Sequence, residues 1–130
     1  EKFSKMITAM GGPVGFCDNW DRFLPEATVI HEVVAKHAGY VSGFQGVQMG
    51  HIVVDLGGGR RVESDAIDPA VGIDHVVQIG AKVAKGDVIA RVHANRLDSA
   101  QMAVKAIDQV ILIDESDVQP QSLILEQIGL

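Results

Sequence analysis

The stretch Val76–Ala94, VVQIGAKVAKGDVIARVHA, narrows most what this chain can fold into. Two short apolar segments, Val76–Ile79 and Val88–Ala94, flank Gly80, Lys82, Lys85, Gly86 and Asp87, with Val83 alone between them. Glycine takes positive φ without steric cost, and Gly-Asp is turn chemistry, so the intervening residues are expected to bend. In the second segment Val88, Ala90, Val92 and Ala94 share one face, while Asp87, Arg91 and His93 share the other with Ile89. That alternation is the mark of a half-buried strand with small residues inside. The stretch is therefore expected to be a strand–turn–strand nucleus of a small β unit, wrapped by the rest of the chain.

Composition sets the outer limits. A length of 130 residues fits one domain, or one domain with an appendage. The hydrophobic fraction is 47% but aromatics are only 5%, so the core must be aliphatic. A formal net charge of −6 argues against a general nucleic-acid binder, which presents a basic face. The single Cys17 allows no internal disulfide and fits a reducing, cytoplasmic setting. No apolar run approaches the ~18 residues of a membrane span, and no signal peptide is visible, so no membrane partner is expected. The chain begins at Glu1, without Met, already in a helical pattern, and is read as a piece of a longer protein.

Along the chain, Phe3, Met6, Ile7 and Met10 fall on one helical face, stopped by Gly11-Gly12-Pro13. Its apolar stripe is expected to be exposed in this piece, for want of a partner upstream. Asp18-Asn19 is expected to cap a short helical turn through Trp20, Phe23 and Leu24, ended by Pro25. Thr28–Ala35 reads as a strand and Tyr40–Phe44 as a second, the two forming a hairpin around Lys36–Gly39. Gly46–Leu56 carries Met49, Ile52, Val53 and Leu56 at helical spacing before three glycines, and is read as a helix. Val62–Asp65 is a polar loop and Asp68-Pro69 a turn. Asp98 with Gln101 is a capping-box arrangement opening a helix whose buried stripe is Ala103, Ala106, Ile107 and Val110. Val110–Ile113 is open between helix end and strand, Asp114–Pro120 is a loop, and Ser122–Ile128 is expected to be a final strand. The mixture argues for an α+β fold with β hairpins and packed helices.

Few residues carry recognisable chemistry. His31, His37, His51, His75 and His93 make no H-x-x-x-H, H-x-H or Cys/His pattern, so no metal site is expected. No G-x-S-x-G elbow supports a hydrolase triad. Glu63, Asp65 and Asp68 read as a solvated acidic loop. Gly57-Gly58-Gly59 followed by Arg60 and Arg61 offers backbone amides and guanidinium donors to an anion. The same run also reads as a helix stop with a polar loop, because it follows a helix and matches no phosphate-loop pattern.

Two resemblances follow from the residues. The pattern G-x-x-V-x-x-G-D-x-I-A-x-V at Gly80–Val92 resembles the strand–turn–strand of biotinyl/lipoyl-type barrel-sandwich folds. More of the chain is similar to another family. KMITAMGGP (Lys5–Pro13), FLPEA (Phe23–Ala27), GYVSG (Gly39–Gly43), LGGGRR (Leu56–Arg61), IDPAVG (Ile67–Gly72) and GAKVAKGDVIARVHA (Gly80–Ala94) occur in this order. The succession resembles the C-terminal part of the thymidine phosphorylase and pyrimidine-nucleoside phosphorylase family, over essentially the whole chain.

That resemblance implies an α/β-hammerhead-like, barrel-sandwich C-terminal domain at residues 26–130. It implies that residues 1–25 are the end of a preceding α/β domain and its linker. The family's full enzyme is a homodimer of helical and α/β domains that phosphorolyses a pyrimidine nucleoside, with phosphate as co-substrate and no cofactor. The family's Lys-His-Ser-Thr-Gly-Gly phosphate segment and its pyrimidine-contacting Arg, Ser and Lys set do not occur in this chain, so no catalytic residue is assigned to it. Position alone carries over. Gly57, Gly58, Gly59, Arg60, Arg61, Ser64 and Asp65 match a family loop that approaches the cleft when the domains close.

The competing readings are a biotinyl or lipoyl carrier and a purely structural interaction domain. A carrier presents an acceptor lysine at a hairpin tip. This chain has Asn95-Arg96 after Val92-His93-Ala94, and a guanidinium is no substitute for that amine.

Overall fold

The computed structural model describes residues 1–120 and 122–129. Helix α1 spans Lys2–Ala9, and two single 3₁₀ turns follow at Phe16–Asp18 and Trp20–Arg22. Then come β1 (Val29–Val34), β2 (Gly39–Phe44), α2 (Gly46–Leu56), β3 (Gly72–Asp74), β4 (Lys82–Val83), β5 (Val88–Ala94), α3 (Leu97–Val110) and β6 (Ile111–Asp114). The fold is α+β, with two antiparallel three-stranded sheets ordered β1-β5-β3 and β4-β2-β6.

β5 is the centre of the first sheet. Val33 lies opposite Ala90, His31 opposite Val92 and Val29 opposite Ala94, while Ile73 of β3 meets Val92 from the other side. Ala90, Val92 and Ala94 are fully buried. Their small inward side chains let α3 settle on β1 and β5, with Ala100, Ala103, Ile107 and Val110 buried on its packed face. α2 packs on α3 in turn. Its start is tied to the end of α3 by the Gln45 N–H, which donates to the Val110 carbonyl at 2.9 Å. Lys36, in the turn after β1, pairs with Asp108 of α3.

The expected hairpins do not form. Among the described residues no two consecutive strands pair. After β1, the Ala35 N–H donates to Asp87 at 2.9 Å and the Ala35 carbonyl accepts from Gly86 at 2.8 Å. β1 thus runs its whole length along β5, while the chain crosses to the second sheet for β2. The turn residues at Lys36–Gly39 fix where the chain bends but not which strand is paired.

The leading half of the nucleating stretch also differs. Val76–Ile79 is not a strand; Val77 makes a single backbone bond, to Ile89 at 3.0 Å. Gly80, at φ +86°, turns the chain, and the next residues, Lys82 and Val83, form β4 against Tyr40 and Gly39. Val83, isolated in the sequence, is the buried residue of that strand.

Three further expectations are corrected. α3 starts at Leu97 with Arg96 as an extended N-cap and no side-chain cap. Asp98 therefore lies inside the first turn, where its carboxylate accepts the Ser99 N–H at 2.8 Å and pairs with the Arg96 guanidinium. The Asp18-Asn19 cap is absent, and two separate 3₁₀ turns stand in place of one longer turn. Ser122–Ile128 forms no ladder, and Leu123, Ile124, Leu125 and Ile128 are exposed. The open end at Val110 resolves as a helix passing directly into β6.

Candidate functional site

The Gly57–Asp68 segment is built outward from the end of α2. Gly57 has φ +101° and its N–H donates to Val54 at 3.0 Å, while the Gly58 N–H donates to Val53 at 2.9 Å. These are the paired bonds that close a helix through a left-handed residue. A Cβ on Gly58 would lie 2.9 Å from Val53 Cγ1, and one on Gly59 would lie 2.7 Å from Val54 Cγ2. The three glycines thus end the helix and let the departing chain pack on its last turn.

Beyond them the two arginines diverge. The Arg61 guanidinium pairs with Asp55 on α2, and that hydrogen bond and charge push its pKa up. The Arg61 and Val62 N–H groups both donate to the Asp65 carboxylate, at 2.9 and 3.1 Å, which folds the loop back on itself. Arg60 and Ser64 are exposed, and neither makes an ion pair or side-chain hydrogen bond among the described residues. The structure therefore places Asp65 and Arg61 in the loop's own scaffold and leaves Arg60 as its available positive charge, in the same loop as the exposed Glu63.

The loop closes at Asp68, whose N–H donates to the Gly57 carbonyl at 2.9 Å. The Asp68 carboxylate accepts the Ala70 N–H at 3.0 Å and the Asn95 side-chain amide. Asn95 in turn accepts from Thr28, the side-chain oxygen taking its N–H at 3.3 Å and the carbonyl taking its hydroxyl at 3.0 Å.

A second polar cluster lies on the outer face of the first sheet. Arg91 donates Nε and Nη2 to the two oxygens of Asp74, each at 3.1 Å. His75 Nδ1 is 2.9 Å from Oδ2, and His93 Nε2 is 3.1 Å from Oδ1. The His93 contact is close but poorly directed for a hydrogen bond, so the paired Arg91 bonds are the firmer hold. Asp74 and Arg91 are direct cross-strand partners, and Gly72 faces His93. Partial burial pushes the Asp74 carboxyl up, but the Arg91 guanidinium and the His93 and His75 rings outweigh it and hold it at about 2. Sequence reasoning put Arg91 and His93 on one face and missed Asp74, because the partner strand cannot be read from spacing. Among the described residues no three His, Cys, Asp or Glu side chains are placed to hold a metal ion.

The depressed Asp74 pKa gives a pH prediction. A carboxyl with a lower pKa folded than unfolded stabilises the fold above its unfolded value, ~3.9, and loses that contribution as pH falls toward its folded value. Stability is thus expected to drop between about pH 4 and pH 2, more steeply in the parent than in Asp74→Asn. Urea unfolding of both proteins across that range checks it; parallel pH profiles would remove Asp74 from the account.

An apolar groove between α2 and α3, lined by Ile52, Leu56, Met102, Ala103 and Ala106, has few polar groups. It offers a surface for packing and no chemistry. No described helix is long and apolar enough to cross a membrane.

The described residues thus form two small antiparallel sheets packed by two helices, with a Gly-Gly-Gly-Arg-Arg loop leaving α2. The profile of the family "Pyrimidine nucleoside phosphorylase C-terminal domain" matches residues 40–114, from β2 to the end of β6, and the chain belongs to that family. It is 38% identical over 128 residues to a thymidine phosphorylase of Agrobacterium fabrum, covering 98% of this chain and 29% of that protein. It is 40% identical over 116 residues to a thymidine phosphorylase of Colwellia psychrerythraea, covering 88% of this chain and 26% of that protein. The chain thus spans under a third of the length of these relatives.

Proposed function

We propose that this chain is the C-terminal portion of a thymidine phosphorylase. The observation that carries the reading is the family match together with relatives of that name aligned along nearly the whole chain. The reaction breaks the C1′–N1 bond of thymidine; the bonding pair leaves with the pyrimidine, which takes up a proton, and a phosphate oxygen bonds to C1′. The products are thymine and 2-deoxyribose 1-phosphate. Such chemistry needs donors for the phosphate and for the leaving base, and these belong to the upstream domains. No cofactor is required, and phosphate is the co-substrate. The partners in this reading are the helical and α/β domains of the same enzyme, a pyrimidine nucleoside and a second subunit of a homodimer, in the cytoplasm.

Residues 1–25 are the end of the preceding α/β domain and its linker, and 26–130 the C-terminal domain. Two features support that division. Among the described residues, the backbone and side-chain hydrogen bonds of residues 1–25 fall within the segment itself. Of the Phe3, Met6, Ile7 and Met10 stripe, Phe3, Met6 and Met10 are exposed and Ile7 is half-buried, as a helix face would be without the domain it packs on. The two three-stranded sheets are then the halves of a barrel-sandwich. The carrier reading finds less support: Asn95-Arg96 leads directly into α3 and Arg96 is paired with Asp98, so no acceptor lysine stands at that position after β5.

Within this enzyme the Gly57–Asp65 loop is a closing segment, and Arg60 is the residue that reaches the cleft. Ordering a loop costs roughly 1–2 kcal/mol per residue, which a protein tolerates where motion serves the reaction. The test is phosphorolysis by the full-length protein, with thymine release followed by chromatography and the isolated 130-residue chain as the blank. Full-length protein is expected to turn over thymidine. Arg60→Ala is expected to lower kcat/KM roughly tenfold with Tm unchanged, the size of one lost charge-assisted contact. Turnover by the isolated chain, or no thymine from the full protein, would overturn the assignment.

A further inference from the structure

We infer that Asn95 is a positioning residue for the Gly57–Asp65 loop, acting through Asp68. The inference rests on the reading of that loop as a closing segment and adds what holds it in place. The two ends of the loop meet at a single backbone bond, from the Asp68 N–H to the Gly57 carbonyl at 2.9 Å. The Gly57 side is fixed by the end of α2. The Asp68 side lies outside any helix or strand, and its side chain is held by Ala70 and Asn95.

Asn95 is suited to this because its amide has two distinct ends. The side-chain oxygen accepts the Thr28 N–H, just before β1, and the side-chain NH₂ donates to Asp68. Its carbonyl also accepts the Thr28 hydroxyl. One residue at the end of β5 thereby joins the entry to β1, the turn into α3 and the base of the loop. Arg60 leaves from the helix side of that base and has no partner among the described residues. A contact made only on closure is strongest when its carrier is already aimed. Releasing Asp68 frees the loop base, so Arg60 must be ordered at the moment of closure.

The variant that isolates this role is Asn95→Asp. It keeps the oxygen that accepts from Thr28, removes the donor to Asp68, and sets two carboxylates against each other. The experiment uses the full-length enzyme with thymidine and inorganic phosphate, and compares Arg60→Ala, Asn95→Asp, Asn95→Ala and the Arg60→Ala/Asn95→Asp double variant. Steady-state kinetics, Tm and hydrogen exchange of the peptide covering 57–68 are read for each. Asn95→Asp is expected to lower kcat/KM roughly fivefold, less than Arg60→Ala because it loosens the base that aims Arg60 and leaves the arginine itself in place, with Tm unchanged and faster exchange in the loop. The double variant is expected to be no slower than Arg60→Ala alone, since residues acting through one contact are not additive.

If Arg60→Ala lowers kcat/KM and Asn95→Asp does not, the positioning role is wrong and the closing loop stands. If Arg60→Ala leaves kinetics unchanged, the closing-loop reading falls and this inference with it. A loss in Asn95→Asp that tracks a fallen Tm, or that multiplies with Arg60→Ala, marks Asn95 as a fold contact only. Should Asn95→Asp fail to fold, Asn95→Ala carries the same comparison.

Discussion

Replacing Ile107 by Ala is expected to cost about 2–5 kcal/mol of unfolding free energy, the range for deleting a large buried aliphatic side chain. Ile107 is fully buried, and it lies on the helix that packs on β1, β5 and α2. Those neighbours are held by sheet registers and helix ends, so they cannot close the space freely, and lost transfer energy adds to a cavity term. With few aromatics in the chain, no bulky ring stands ready to fill the gap. Small domains hold about 5–15 kcal/mol in all, so the variant should sit near the edge of folding. Urea unfolding followed by circular dichroism measures the loss. Met102→Ala on the exposed side of the same helix, where Met102 is 64% exposed, should change stability by no more than about 0.5 kcal/mol. An Ile107→Ala loss as small as that of Met102→Ala would mean that α3 is not the centre of the core.

How much of this was legible in the sequence depended on the range of the interaction. α2 was readable because Met49, Ile52, Val53 and Leu56 share a face and Gly57 stops them, all within one element. The inner face of β5 was readable for the same reason at Ala90, Val92 and Ala94, but not at its start, where Val88 is exposed and Ile89 buried and the register with β1 shifts between Val33 and Val34. Partners were not: the β1 residues point equally well to a hairpin with Tyr40–Phe44, and only the fold shows that β5 offers a longer register. Val76–Ile79 has strand composition, yet Gly80 and Val77 bind the segment across the gap between sheets, to Val41 and Ile89. The polar residues divide similarly. Gly57, Arg60 and Asp65 are close in sequence and were found together. The bonds of Asp68 to Asn95 and of Asp74 to Arg91 span 27 and 17 positions and leave no local pattern. The position of Arg60 beside the glycines already favours it over Arg61 as the free charge, but the Asp55 at the end of α2 that occupies Arg61 leaves no signal in the sequence.

The other large effect is expected at Gly39, where the limit is space and not backbone conformation. Gly39 opens β2, pairs with Val83 of β4, and lies beside the end of β6, where the next residue, Tyr40, meets Asp114. A Cβ at Gly39 would sit 2.5 Å from the Asp114 carbonyl oxygen and 2.7 Å from Ile113 Cγ2. The nearer obstacle is backbone within a hydrogen-bonded ladder, so it cannot swing aside as a flexible side-chain tip would. Gly39→Ala therefore has to push β6 away from β2, at a cost of about 1–3 kcal/mol for overpacking, with further loss if the Tyr40–Asp114 end of the ladder opens. The control is another glycine under the opposite condition. Gly50 lies in the interior of α2 with nothing near the Cβ it lacks. There Gly→Ala restricts the unfolded chain without crowding the folded one, and should stabilise by about 0.4–1 kcal/mol. Chemical denaturation of the two variants should give shifts of opposite sign. If Gly39→Ala were as stable as the parent, the close approach of β6 to the start of β2 would be wrong. If Gly50→Ala were destabilised, α2 would meet a neighbour at that face that the described residues do not supply.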